Sequence, residues 1–454
     1  MQSKLTRNAL AAAITLVLMG GMGAVHAEVN VQCPGDTNGD AVVDTPTDQY
    51  GTGVGNGPNG GPVKCMHLVA GDGFAEMSDG HPMYTFGFSN KTGVLPQDVI
   101  AEGILAARWS GSKIELDEGD EFFLSLTNVG TVMRPDLFDP HTVHFHGFPN
   151  AATVFDGVPE VSIAINMGST LTYYYNVVEP GTYLYHCHVE ATEHMEMGML
   201  ANLYVHPKQD ATGYGDVGGV STVAGRKGGP GGPQGFQGYT YDDGDGSTGW
   251  HVEAPVQVSG FDSKFHDAHI QVQPLPFSTL KTNYPQINGR GYPDTVLDDV
   301  HDYDTVINPA TNERLTNMRA PQNRDGSPWL EVGVDLNNGE VSQEQGSAIT
   351  VNAGDKLLLR FSNVSIDRFF TMTAPGLKMR VVGTGAEQMR STDGTKNIYV
   401  DTASINFGGG EAQDVIVDTT GVAPGTYFLT ASELYMMSNA TQLDGGLITE
   451  IVVN

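Results

Sequence analysis

One phrase is written twice in this chain. Gly119-Asp-Glu-Phe-Phe-Leu-Ser-Leu-Thr-Asn128-Val returns as Gly354-Asp-Lys-Leu-Leu-Leu-Arg-Phe-Ser-Asn363-Val. A second pair follows in the same order: Pro180-Gly-Thr-Tyr-Leu-Tyr, then Pro424-Gly-Thr-Tyr-Phe-Leu. Such a repeat means one supersecondary unit built twice. The segments Lys113-Ile-Glu-Leu, Glu121-Phe-Phe-Leu-Ser-Leu and Leu171-Thr-Tyr-Tyr-Tyr-Asn-Val alternate or run apolar between Gly, Asp and Pro. Helical periodicity is nearly absent. The pattern predicts an all-β chain of two Greek-key β-sandwich domains.

The expected order is a signal segment at 1–27, a polar extension at 28–75, a first sandwich at 76–207, a Gly/Pro-rich linker at 208–248 and a second sandwich at 249–454. Lys4 and Arg7 precede the apolar stretch from Leu10 to Met19, and Val25-His26-Ala27 suits cleavage before Glu28. That is the form of a secretory leader, too short to span a bilayer, and it places the mature chain in a periplasmic or secreted setting. No other segment is long and apolar enough to be a transmembrane span.

There, Cys33 and Cys65 are expected to pair as a disulfide. In the extension, Asp36, Asn38, Asp40 and Asp44 place oxygens as the start of a calcium loop does. No helix frames them and no Glu stands at the twelfth position, so a solvated turn is the competing reading. The balance of 53 acidic against 23 basic residues disfavours nucleic acid as a partner. It suits a basic redox protein as donor, or solubility alone.

The chemistry sits in the first sandwich. His186-Cys187-His188 is followed by His194 and Met199, and His141-Thr-Val-His144-Phe-His146-Gly147 lies upstream. A thiolate from Cys187, imidazoles from His141 and His194, and a weak thioether from Met199 form the donor set of a blue electron-transfer copper. Along a strand, Cys187 points one way and His186 and His188 the other; His144 and His146 likewise share a face. Four imidazoles can then converge on a second metal. Alternatively, one of His144 and His146 is a ligand and the other supports it. Asp139, Glu190 and Glu193 are the nearest carboxylates in sequence for proton delivery. Met195 and Met197 are expected to pack. The second copy has Thr430-Ala431-Ser432 in place of His-Cys-His, and Phe369-Phe370-Thr371-Met372 near the expected His-x-His. Copper therefore belongs to the first sandwich, and the second packs, covers or oligomerises.

These motifs resemble those of the multicopper oxidases and their two-domain cupredoxin relatives, distantly including copper nitrite reductases. The resemblance spans both sandwiches. His141-Thr142-Val-His144-Phe-His146-Gly147 is similar to the HPxHxHG motif, with Thr142 for proline. His186-Cys187-His188 through His194 and Gly198-Met199 is similar to HCHxxxHxxxGM, with a loop two residues longer before His194. The resemblance implies type 1 ligands at His141, Cys187, His194 and Met199, and type 2 or type 3 ligands at His144, His146, His186 and His188. It also implies a homo-oligomer, a trimer by analogy.

A trinuclear cluster in that family draws histidines from two cupredoxin domains. This chain supplies four in one domain and no His-x-His in the other. The remainder then comes from another subunit or another protein, or the site holds fewer coppers. His266, His269 or His301 can contribute only with an altered topology. In the nitrite reductase pattern an aspartate stands where this chain has His144, which argues against that activity. Three functions remain open: an oxidoreductase passing single electrons to O2 or another small acceptor, an electron-transfer or copper-carrying protein, and a structural protein with a residual copper domain.

Overall fold

The computed structural model of the chain describes residues 29–44, 57–149, 151–212, 235–297 and 342–454. The signal segment expected at 1–27 and His301 lie outside the described residues.

The first sandwich has two four-stranded sheets. One is ordered β2-β1-β4-β6, from β1 (Val63–Glu76), β2 (Pro82–Asn90), β4 (Glu121–Gly130) and β6 (Thr170–Asn176). The other is β3-β8-β7-β5, from β3 (Ile114–Asp117), β8 (Leu200–His206), β7 (Gly181–His186) and β5 (His144–Phe145). Strand register explains why these sequences close a core. Phe122, Leu124 and Leu126 of β4 lie opposite Tyr175, Tyr173 and Leu171 of β6. Cross-strand pairs of this kind are the unit of sheet stability. Across the core stand Tyr183 and Tyr185 of β7, with Ala201, Leu203 and Val205 of β8.

The second sandwich repeats the plan. Val252–Phe261 runs parallel to Lys356–Asn363, as β1 does to β4. Lys356–Asn363 pairs antiparallel with Ala412–Asp418, as β4 does with β6. Gly425–Ala431 and Ile448–Val453 take the places of β7 and β8. The repeated Gly-Asp turns match as well. Gly119 and Gly354 hold φ of 99° and 95°, a left-handed conformation that favours glycine. The all-β, two-sandwich expectation holds.

Two boundaries shift. β1 begins at Val63, inside the segment read as a polar extension, because it pairs on both sides with β2 and β4. Cys65 lies on that strand and is bonded to Cys33, with Cα atoms 5.9 Å apart, so the extension is tied to the first sheet. The latter part of the linker, from residue 235, is packed. Gly238–Tyr239 pairs with Gly249–Trp250, and Tyr239 and Tyr241 are buried. The composition of 208–248 reads as linker, but these aromatic residues override the Gly and Asp around them.

Among the described residues, the His, Cys, Asp and Glu groups that could hold a metal do not include Asp36, Asp40 and Asp44. Asp36 accepts from the N–H groups of Asn38, Gly39 and Ala41, Asp40 from Val42, and Asp44 from Thr37. These are the side-chain-to-backbone bonds that close an Asx-rich turn.

Strand β7 joins the sandwiches through buried polar groups. Thr182 donates to Asp414, and the Arg360 guanidinium pairs with Glu253 and, at 3.4 Å, with Asp414. Tyr241 also donates to Asp414, and Asn202 receives hydrogen bonds from Gln257 and Ser362. Arg360 is fully buried, so its charge is tolerated only because these partners surround it. Glu253→Ala is expected to cost about 3–5 kcal/mol, read as an earlier midpoint in urea unfolding. A loss below about 1 kcal/mol would mark the pair as no stronger than a surface contact.

Candidate metal centres

The alternation of β7 builds two centres from one strand. Its odd positions, Tyr183 and Tyr185, enter the first core, and Cys187 continues that face. Its even positions, Thr182, Leu184 and His186, face the second sandwich. Short strand β5 lies beside it, pairing His144 with His186 and Phe145 with Tyr185. His146 then donates its backbone N–H to Leu184 O at 3.0 Å.

Inside the core, the ligand atoms of His141, Cys187 and His194 lie within 4.8 Å of one another, and all three residues are buried. Cys187 Sγ is 3.8 Å from His141 Nδ1 and 3.2 Å from His194 Nδ1. Nitrogen and sulfur bound about 2.0–2.3 Å from one ion at trigonal angles would stand roughly 3.5–4 Å apart. His141 is locked by reciprocal backbone bonds with Ile165, at 3.0 and 2.9 Å. His194 Nε2 lies 3.7 Å from Asp139 Oδ2, which favours the tautomer whose Nδ1 lone pair points at the sulfur.

Electrostatics also favour a cation here. Burial pulls both imidazoles down, and His141 stays well below its usual value. His194 is nonetheless pushed up to about 10, because the charge on Cys187 and the Asp139 carboxylate outweigh its burial. The negative charge that raises His194 favours a cation between these groups, and one thiolate with two imidazoles is the donor chemistry copper takes.

The lengthened loop has a local cause. Residues Ala191–Glu196 form a short helix after Glu190, which takes a left-handed φ of 44°. Its turns carry His194 inward and hand over to Met199, whose N–H bonds His194 O at 2.9 Å. Met199 is buried in the same core cluster as Cys187. Gly198 has no room for a side chain: a Cβ there would lie 2.6 Å from Phe86 O. Thr142, standing for proline, accepts the His188 N–H on its hydroxyl at 3.1 Å, which ties the two histidine segments together.

On the outer face, ligand atoms of His144, His146 and His186 converge within 4.8 Å. The His188 ring centroid is 5.0 Å from that of His144. His146 Nε2 and His186 Nε2 are 2.9 Å apart. Two nitrogens bound at about 2.0–2.1 Å and a right angle to one ion would show that separation. In three of the rings Nδ1 meets a carbonyl: Asp156 O for His144, Gly410 O for His146, Cys187 O for His186. With Nδ1 donating, each Nε2 keeps its lone pair for a metal. Burial lowers His186 to about 3 and pulls His146 down as well, which favours the uncharged ring that metal binding requires. A cleft of about 350 Å³ opens beside His144 and His146, walled by Thr182 and Leu184 and by Gly385 and Gly410 of the second sandwich.

The three carboxylates expected near this cluster sit elsewhere. Asp139 stands behind His194, at the other centre. Glu193 bonds His269 Nε2 at 2.9 Å. Glu190 is exposed at the start of the short helix. The carboxylate beside the outer cluster is Asp156, 3.7 Å from His144 Nδ1. Nothing in its sequence context marked it, since the turn carrying it comes from a different loop. His266 and His269 pack on the other side: His266 Nδ1 bonds Tyr84 O, and His269 stacks edge-on against Phe86, itself beside His194. Met197 is buried core and Met195 packs partly buried, as expected. One further convergent set, Glu115, His206 and Glu253, lies at the seam, where Arg360 already neutralises Glu253.

Residues 97–210 and residues 295–454 each match a family model described as multicopper oxidase, together more than half of the chain. The iron transport multicopper oxidase fetC of Epichloe festucae (strain E2368) is 34% identical over 102 residues, 22% of this chain and 15% of that protein. The iron transport multicopper oxidase FET3 of Gibberella zeae is 34% identical over 104 residues, with the same shares. The chain thus spans about 15% of the length of these curated relatives. Among solved structures, the blue copper oxidase from Nitrosomonas europaea is similar in fold, with TM-score 0.55, 19% identity and 86% of each chain covered. Multicopper oxidase mgLAC aligns at TM-score 0.55 and 18% identity, again over 86% of each chain.

Copper loading is expected to raise a blue thiolate-to-metal absorption band, and Cys187→Ser to abolish it while the outer histidines still take up metal. A band that survives the substitution would remove Cys187 from the inner site.

Proposed function

Because this chain belongs to the multicopper oxidase family, a family of oxidoreductases, we propose that it takes single electrons at His141, Cys187, His194 and Met199. It passes them to a small acceptor, O2 first among candidates, at a copper site built on His144, His146, His186 and His188. One observation carries this reading: both donor sets grow from the same three residues, His186-Cys187-His188. Copper supplies the one-electron redox chemistry when bound. The chain supplies the path. Cys187 is joined by single peptide bonds to a histidine on either side, so both centres share a covalent bridge.

The buried inner set is sealed from small acceptors and suits outer electron exchange alone. The outer set borders a cleft wide enough for water and a diatomic molecule. His144 Nδ1–H is held by the Asp156 carbonyl, and the nearby Asp156 carboxylate is the group best placed to hold or relay a proton there. Four histidines are half the complement a trinuclear cluster takes in this family. The rest comes from another subunit, in a homo-oligomer for which the trimer is the family's precedent. The donor is a phenol, a metal ion or a basic redox protein drawn to the acidic surface. The setting is periplasmic or secreted, consistent with the Cys33–Cys65 disulfide.

A second reading, electron transfer or copper carriage without acceptor reduction, draws support from the absence of a fifth histidine at the outer cluster among the described residues. Copper-loaded wild type is expected to hold more than one copper per chain and to consume O2 with a one-electron donor. His144→Gln is expected to keep the blue band and drop O2 uptake to background. One copper per chain, a blue band and no O2 uptake with any donor would favour the second reading.

A further inference from the structure

The second sandwich has no metal-ligating motif, yet it touches the outer cluster through Gly408-Gly-Gly-Glu411. His146 donates its Nδ1–H to Gly410 O at 3.1 Å. Gly410 has a φ of +82°, and a Cβ there would lie 2.6 Å from His146 Cε1. The ring therefore rests on this glycine as well as bonding to it.

The loop is itself pinned. Gly410 N–H bonds Asn363 O at 2.8 Å, and Asn363 N–H bonds Glu411 O at 3.0 Å. The buried Asn363 side chain donates to Phe407 O at 2.9 Å and Arg368 O at 3.3 Å, and accepts from Ser365 N at 2.8 Å. Gly408 N–H bonds the Glu411 carboxylate at 2.7 Å.

Asn363 is the repeat partner of Asn128. Asn128 donates to Asp139 O at 2.8 Å and Ile165 O at 2.9 Å, and accepts from Gly130 N at 2.8 Å. Ile165 is the residue whose backbone locks His141. The same asparagine thus braces a loop at the inner centre in one repeat and a loop at the outer centre in the other.

We propose that Gly410, seated by Asn363, is the positioning residue through which the second sandwich sets the His146 ring. It holds the proton on Nδ1, leaving the Nε2 lone pair aimed at His186 Nε2, 2.9 Å away. It needs to be glycine, because any side chain displaces the ring. This inference rests on reading the outer histidines as a copper site.

The test is a titration of metal-free protein with Cu(II) in wild type, Gly410→Ala and Gly421→Ala. Gly421 has a similar φ of +77° but nothing within 4 Å, so it carries the backbone strain without the contact. The blue band reads the inner site, and bound copper in excess of it, counted by metal analysis at each free Cu(II) concentration, reads the outer one. Gly410→Ala is expected to bind outer copper about 10–100-fold more weakly, with the blue band and unfolding midpoint of the Gly421→Ala control. Outer binding unchanged in Gly410→Ala, or weakened equally in Gly421→Ala, would overturn the proposal. Wild type that takes up one copper per chain would overturn the reading of the cluster itself, and the brace with it.

Discussion

The organising constraint is the two-residue period of β7. A strand presents successive side chains to opposite faces, so Cys187 and its neighbouring histidines cannot serve one site. The inner face delivers the sulfur into a core sealed by Tyr173, Tyr175, Tyr183 and Tyr185. The outer face delivers His186 to the seam, beside His144. A slip of one residue in the pairing with β8 would bury the imidazoles and expose the thiol. The register is held by what each face already buries: Tyr185 inside, Leu184 and Thr182 against the second sandwich.

The second sandwich gives that strand its outer surface. The seam is polar and buried: Arg360, Glu253, Asp414 and Tyr241 bond one another or Thr182 of β7, and Asn202 of β8 accepts from Gln257 and Ser362. Buried polar groups are costly unless paired, so the partners of Arg360 and Asp414 favour one way for the two domains to meet. Rigid docking matters for the outer cluster because His146 takes the partner of its Nδ1 from Gly410, across the seam. A copy without the histidine motifs of its sister still bears on their geometry.

The two centres differ in solvent as well as in ligands. The inner one is fully enclosed, and charge raises His194 despite its burial. The outer one lines a cleft, and three of its rings are ordered by backbone carbonyls. Enclosure suits electron exchange without chemistry, and an open cleft suits a small reactant. This division follows from which face of the strand each donor occupies.

The all-β class, the duplication and most of the residues that converge in the two clusters were legible in the chain, because strand period, repeated Gly-Asp turns and His-Cys-His spacing are local properties. The shift of the first strand to Val63 was not, since its burial depends on pairing with β4, far along the chain. Nor was the exchange of carboxylates. Asp139 is two residues from His141 but lies behind His194, while Asp156 arrives at His144 from another loop. Gly410 is more distant still: nothing within one repeat indicates that its carbonyl meets a ring of the other. Sequence by itself determined which histidines and cysteine share a strand and which face each takes, because covalent spacing and pleat are intrinsic to the strand. The tertiary structure alone decided which groups stand behind those atoms, because hydrogen-bond partners are chosen by how loops and domains close on one another.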